Sequence, residues 1–400
     1  MSFGSFVLTN IWIIGFYLAL ILIIIINRKK FEFQAKIIAV YKTNFGIAFM
    51  ERFANKYKEW LRIFGYMAMG IGFAGMIAIS ILILKGLFDL FFVPGAAATI
   101  SPFIPGVQIP GSPIHPPFWE SIIALFIVIV IHECSHGVVA RVYNLKIKNT
   151  GFVLFGPLPG AFVEPDEKKM EKESDVVKHS IFGAGPFSNI VTAILVLVLL
   201  SLFFVPIQGK SIDAFYPKGM TTTDGITFTN IKEDSPAKLA GLQKNVVYTQ
   251  LNGEPFKDVN EFTWLFVRIK PNDTMTLTSA EGTITTVQTG TNPDNSKSAY
   301  LGVDLATSFV VKQDTGFYYT VFRILAWIGK LLFWIFVISL GLGLANLLPI
   351  GPVDGGRMLH TALVTALGQE KGTKYWSRIS YIVLIILIPL LVLPILRAIL

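Results

Sequence analysis

The sequence predicts a polytopic α-helical membrane protein with one small, mostly β domain inserted before its last spans. Three observations predict it. Of 400 residues, 53% are hydrophobic and only 15% are charged, whereas soluble domains carry about a quarter charged residues. Several apolar runs reach roughly twenty residues, the length a helix needs to cross about 30 Å of hydrocarbon. One stretch, 207–317, departs from this pattern, with mixed residues in short alternating runs such as Thr274–Thr278 and Thr283–Gln288.

About six spans are expected, at 8–26, 64–86, 119–140, 181–206, 318–347 and 379–399. The opening MSFGSFVLTN has no basic segment and no small-residue cleavage site, so the first run reads as a retained helix. Segment 27–63 carries nine basic residues against three acidic ones, which places it in the cytoplasm and the N-terminus outside. Alternation then puts the loop 87–118 outside; it has seven prolines and no basic residue. Segment 141–180 falls inside, 207–317 outside, and 348–378, with Arg357, Lys371, Lys374 and Arg378, inside. Arg397 and the prolines Pro389 and Pro394 make the last span the least regular. The stripe Gly65, Met69, Gly72, Gly75 fits close helix packing. Four regions follow: 1–63, a helix and basic segment; 64–206, a membrane core; 207–317, the extracytoplasmic insert; and 318–400, a second membrane core.

The formal charge of +8 does not imply nucleic-acid binding, because the basic residues flank apolar runs and are not interleaved with stacking aromatics. The single cysteine, Cys134, excludes an intramolecular disulfide.

The third span ends in IHECSHGVVA. His132 and His136 are four apart, so a helix sets both imidazoles on one face, and zinc accepts such a pair. Glu133 lies beside the first, where it can take a proton from a metal-activated water. Ionisable side chains on a membrane-entering helix are costly and are usually functional. A catalytic zinc commonly has a third protein ligand. Asp354, in ANLLPIGPVDGGRM after the fifth span, is the leading candidate; Glu164, His360 and His179 are rivals. Pro349, Pro352, Gly355 and Gly356 break regular helix there, and irregular backbone at membrane depth is tolerated around a protein-lined or wet cavity.

HECSH, then GPFSN, then NLLPIGPVDGG, on successive hydrophobic segments, resembles the site-2 protease family of intramembrane zinc metalloproteases. The resemblance implies one Zn2+ per chain held by His132, His136 and Asp354, with Glu133 activating the water. It also implies that Asn189 faces the active site, where its amide positions substrate or stabilises an oxyanion; the plainer reading is a polar residue that satisfies nearby backbone. Arg357 stands where the family often has histidine.

Two apolar runs flank Gly156-Pro157-Leu158-Pro159-Gly160 and read as a β-hairpin or looped strand. In the family a similar segment re-enters the membrane and pairs with an unwound substrate. That assigns Gly151, Phe152, Val153, Leu154, Gly160, Ala161, Phe162 and Val163 to substrate binding. The charged run Asp166–Lys178 reads as a solvated or interfacial segment. Within the insert, SPAKLAGL and Leu251-Asn252-Gly253 resemble a PDZ domain, although Asn245 replaces the usual glycine.

The resemblance implies an intramembrane endopeptidase of the cell membrane that acts near the cytoplasmic side on single-span proteins. Expected partners are such substrates, membrane lipid, and a peptide or substrate ectodomain at the insert. The insert acts either as a peptide-binding module or as a steric filter against bulky outside domains. Two other classes compete. A non-catalytic scaffold has no use for a buried Glu133. A metal transporter predicts ionisable residues in spans one, two and six, whose apolar centres lack them.

Overall fold

The structure is a computed structural model. It describes residues 11–34, 38–93, 99–107, 109–110, 112, 114, 116–155, 158–206, 215–292, 295–311 and 316–399. The chain forms two compact units, 1–197 with 334–400, and 198–333.

In chain order the first unit opens with α1 (Ile11–Ile26), an apolar helix of 16 residues, none of them buried. Two strands follow, β1 (Phe31–Gln34) and β2 (Ile38–Thr43), then the short helix α2 (Ile47–Lys56). Next come α3 (Lys58–Phe92) and α4 (Phe118–Val142). The hairpin β3 (Ile147–Phe155) and β4 (Leu158–Pro165) precedes α5 (Asp175–Phe203). After the insert, α6 (Gly316–Asn346), α7 (Asp354–Leu367) and α8 (Gln369–Ile399) complete the chain. Among the described residues, α3, α4, α5, α6 and α8 are long and apolar enough to cross a membrane. The first expected span coincides with the shorter α1, and residues 1–10 lie outside the described set.

Helix α3 begins before its expected apolar start. It is 35 residues long, or about 52 Å at 1.5 Å per residue. Its polar first turn is held by the Glu59–Arg62 pair at 3.0 Å, three residues apart on one face. Along its inner face, a Cβ built at Gly65 would lie 3.1 Å from Ser180 Cβ, and one at Gly72 would lie 2.8 Å from Met358 Cε. A Cβ at Gly75 would collide with Leu347. The glycine stripe therefore lets α5, the α6–α7 connection and α7 approach α3 closely. Behind it lies a core of Met50, Val139, Ala140, Leu145, Ile181, Phe182 and Met358.

The β element is larger than the expected hairpin. Strands β1-β2-β3-β4 form one antiparallel sheet in that order. Tyr41 faces Phe152 across β2–β3, and Phe152 faces Ala161 across β3–β4. The strands of the basic segment carry no strong apolar alternation, so only the long-range pairing of β2 with β3, and of β1 with β2, reveals them. The expected turn residues Gly156 and Pro157 lie outside the described residues.

In the second unit the sheet order is Ile284–Gln288, Thr274–Ser279, Val247–Leu251, Thr221–Ile231, Val303–Val311, with Glu254–Pro255 paired beside Val247–Leu251. The alternation expected from sequence is real: Met275, Leu277 and Ser279 point inward along Thr274–Ser279. They join Ile226, Phe228, Leu251, Phe262 and Val287 in one core, apart from the polar Ser279. Ser235 and Asp258 cap the helices that follow them by accepting N–H bonds from Lys238 and Glu261. Asn245 has φ of 62°. The position needs left-handed backbone, which asparagine adopts more readily than most residues, so it can stand where glycine was expected.

Candidate metal centre

Helix α4 carries the first two site residues. His132 and His136 lie one turn apart with ring centroids 4.8 Å from each other. Asp354 comes from the first turn of α7, where the helix dipole favours a carboxylate. The chain must reverse sharply between α6 and α7 to bring it there. Built Cβ atoms on Gly355 and Gly356 would strike the carbonyls of Leu347 and Ile350, so both glycines are required by backbone contact.

The three ligand atoms form a near-equilateral triangle. His132 Nε2 is 3.1 Å from Asp354 Oδ2, His136 Nε2 is 3.3 Å from the same oxygen, and the two Nε2 atoms are 3.2 Å apart. Tetrahedral zinc with bonds of about 2.0–2.1 Å sets its ligand atoms about 3.3 Å apart. The donor set therefore fits that ion. Among the described residues this is the group of His, Cys, Asp or Glu side chains able to hold a metal.

Each imidazole is fixed from behind. His136 Nδ1–H donates to the carbonyl of Ile181 at 2.7 Å, which leaves the Nε2 lone pair facing the triangle. Ile181 lies in α5 one residue before Phe182, whose carbonyl lacks its helical partner because Pro186 has no N–H to donate. His132 Nδ1 meets the side-chain amide of Asn189 at 3.0 Å. Gly185 supplies the space: a Cβ there would lie 2.6 Å from His132 Nε2 and also overlap His136 Nε2.

Glu133 points toward the sheet, and its Oε2 accepts the backbone N–H of Val163 in β4 at 3.1 Å. Beside these groups is a cavity of about 280 Å³, lined in part by Val163, Phe182, Asn346, Val353 and Arg357. A second cavity of about 840 Å³ shares Met170, Phe182, Pro352 and Arg357 with it.

The rival ligands lie elsewhere. Glu164 accepts from Asn149 at 2.9 Å. His179 is buried edge-on against Phe73. His360 bonds Thr373 at 3.1 Å and packs on Trp376. Arg357 reaches Glu167 at 2.8 Å, in the short helix Glu167–Met170 of the charged run. Nearby, Asp166 has its carboxyl held below its ordinary value: desolvation opposes this, but the Lys148 ammonium at 3.3 Å outweighs it.

Of the eight hairpin positions, Gly151, Phe152, Val153 and Leu154 lie in β3, flanked by β2 and β4 on its two sides. Their backbone is engaged within the sheet on both sides. Gly160, Ala161, Phe162 and Val163 lie in β4, the open edge. Asn189 is fully buried. Sequence reasoning missed three contributors: Asn346, Ile181 and Gly185. Asn346 sits within the NLLP motif, and Gly185 opens GPFSN; the Ile181 carbonyl leaves no side-chain signal.

Five helices long and apolar enough to cross a membrane, with a His–His–Asp group able to hold a metal ion, define the class as a multi-pass membrane protein. The chain belongs to Peptidase family M50, whose profile matches residues 120–387; this is the site-2 protease family, whose members are zinc metalloproteases. An uncharacterized protein of Methanocaldococcus jannaschii is 26% identical over 373 residues, covering 89% of this chain and 85% of that protein. Among solved structures, the PDZ domain of the SdrC-like protein from Listeria monocytogenes is similar at 23% identity. That match covers 21% of this chain and 90% of that chain, with a TM-score of 0.19.

Proposed function

We propose that this protein is an intramembrane zinc endopeptidase that cleaves single-span membrane proteins within or near the bilayer. The observation that carries the reading is the 3.1–3.3 Å triangle of ligand atoms with Glu133 beside it. His132, His136 and Asp354 would hold the zinc. When bound, the metal polarises the scissile carbonyl and lowers the pKa of water.

The chain's own residues do the rest. The Glu133 carboxylate takes the proton of the attacking water and delivers it to the leaving amine. Its bond to the Val163 N–H holds it in one orientation and in register with β4. Because Val163 turns its N–H outward, alternation turns the backbone of Ala161 outward as well. An extended substrate segment pairs with this edge, and Gly151–Leu154 of β3 hold the edge in place behind it. A helical peptide bond is shielded by its own hydrogen bonds, so the edge offers replacements as the substrate unwinds.

The finer topology belongs to the same proposal. It has six spans, with α1 as the first, the N-terminus and the PDZ-like insert 207–317 outside, and the sheet re-entering the membrane from the cytoplasmic side. The charge of segment 27–63 supports it. The insert then meets substrate ectodomains, as a peptide-binding module or as a filter.

The test is cleavage of model single-span substrates by the zinc-loaded full chain in nanodiscs, native against Glu133→Gln. Cleavage by the native protein alone is expected. Equal cleavage by both, or none by the zinc-loaded native protein, would overturn the reading.

A further inference from the structure

Asn189 is the one polar residue of the GPFSN segment whose side chain reaches a proposed ligand. It is fully buried, and it is absent from the lining of the cavity beside the triangle. Its amide lies 3.0 Å from His132 Nδ1, the ring nitrogen opposite the one that faces Asp354. Its other polar atom, Oδ1, is buried without a hydrogen-bond partner.

The two ends of the His132 ring are linked by a single proton. With the Asn189 Nδ2–H donating to Nδ1, the ring proton sits on Nε2 and faces Asp354 Oδ2 at 3.1 Å. A metal on Nε2 needs that lone pair, so the proton must then sit on Nδ1 and must find an acceptor there. A half-turn of the Asn189 amide brings Oδ1 to the same place, and the orphaned oxygen gains the Nδ1–H. Amide nitrogen and oxygen are nearly the same size, so the half-turn changes no packing.

We propose that Asn189 is a positioning residue that acts through His132: its reversible amide matches whichever ring tautomer is present and supports the metal-binding one. This rests on the zinc-peptidase reading and changes the role expected of Asn189. Buried behind the ligand, it touches neither substrate nor oxyanion. An amide suits the place because it can both donate and accept; leucine has the shape and neither capacity, and aspartate can only accept.

The test is zinc affinity, measured by chelator competition on the detergent-purified full chain. Outer partners of metal-bound histidine typically contribute about 10–100-fold. Asn189→Leu is expected to weaken zinc binding by that factor, and Asn189→Asp, which accepts from Nδ1–H, to stay within about threefold of native by the same rule. At saturating zinc, the substrate KM of Asn189→Leu is expected to stay native. Native affinity in Asn189→Leu, or equal losses in the Leu and Asp variants, would overturn the inference while leaving the protease reading intact. A native protein that binds no zinc would overturn that reading as well. If the Leu variant does not fold, ¹⁵N-histidine NMR of the native chain decides. With zinc bound, the His132 proton should sit on Nδ1 in a hydrogen bond to Asn189; a zinc-bound chain whose His132 Nδ1–H has no such bond refutes the proposal.

Discussion

Gly185→Ala adds a single methyl group at the point where the two histidines converge. The new carbon would lie 2.6 Å from His132 Nε2 and 2.7 Å from His132 Cε1, and it would overlap His136 Nε2. Ordinary contact begins near 3.4 Å, so both rings are crowded, and His132 for its part must retreat by about 0.8 Å. Neither ring is free to do so, since His136 is tied to Ile181 and His132 to Asn189. Metal–ligand distances tolerate only about 0.2 Å. The retreat therefore removes a ligand, and the zinc affinity should fall by at least about 100-fold, or about 2.8 kcal/mol. The fold should survive. Overpacking costs about 1–3 kcal/mol, and alanine returns about 0.5–1 kcal/mol over glycine in a helix. The assay is chelator competition, with circular dichroism of the metal-free proteins as the control for folding. Native zinc affinity in a folded Gly185→Ala protein would refute the claim that this glycine keeps the site open.

Asp354→Ala should reduce bound zinc from about one per chain to a small fraction, as read by elemental analysis; full retention would remove Asp354 from the ligand set. Glu133→Gln should keep zinc while turnover falls by about 10²–10⁴-fold, the usual contribution of a general base; zinc loss in this variant would give Glu133 a ligand role instead. Ala161→Pro deletes an outward N–H from β4, where an edge strand tolerates proline. Cleavage of a single-span substrate should fall with zinc unchanged, whereas native cleavage would exclude pairing at that position.

The helices and the metal triad were legible because each leaves a side-chain pattern. Apolar length marked the spans, and the four-residue spacing of His132 and His136 marked one helix face. The broken helix PIGPVDGG marked the return of Asp354, and the structure explains its glycines by carbonyl contacts at Leu347 and Ile350. The PDZ-like motif left asparagine at 245 as an anomaly that a φ of 62° resolves. What the sequence concealed was made of backbone or of distance. The Ile181 carbonyl that orients His136 has no residue signature. Strand β2 pairs with a hairpin more than a hundred residues later; Thr43, for example, faces Thr150. The orientation of Asn189 depends on helix rotation, which its residue type does not signal.

The long-range pairing of β2 with β3 bears on how the site works. A lone two-stranded hairpin is marginal in stability, and a loose edge would present substrate at varying depth. Strands β1 and β2 add two more ladders behind β3, and the Thr43 and Thr150 hydroxyls, 3.2 Å apart, link the sheet's base. On its other side, α4 narrows at Gly137, where a Cβ would lie 2.9 Å from Val163 Cγ1 and 2.5 Å from Met50 Sδ of α2. The residue after His136 is thus the contact point for both β4 and α2. Strand edge, base and ligand helix meet within one turn, and the Glu133–Val163 bond fixes their register. In the proposed reaction, the peptide bond that is cut follows from where the substrate strand aligns along β4, and side-chain chemistry at the bond matters less than the ease of unwinding there.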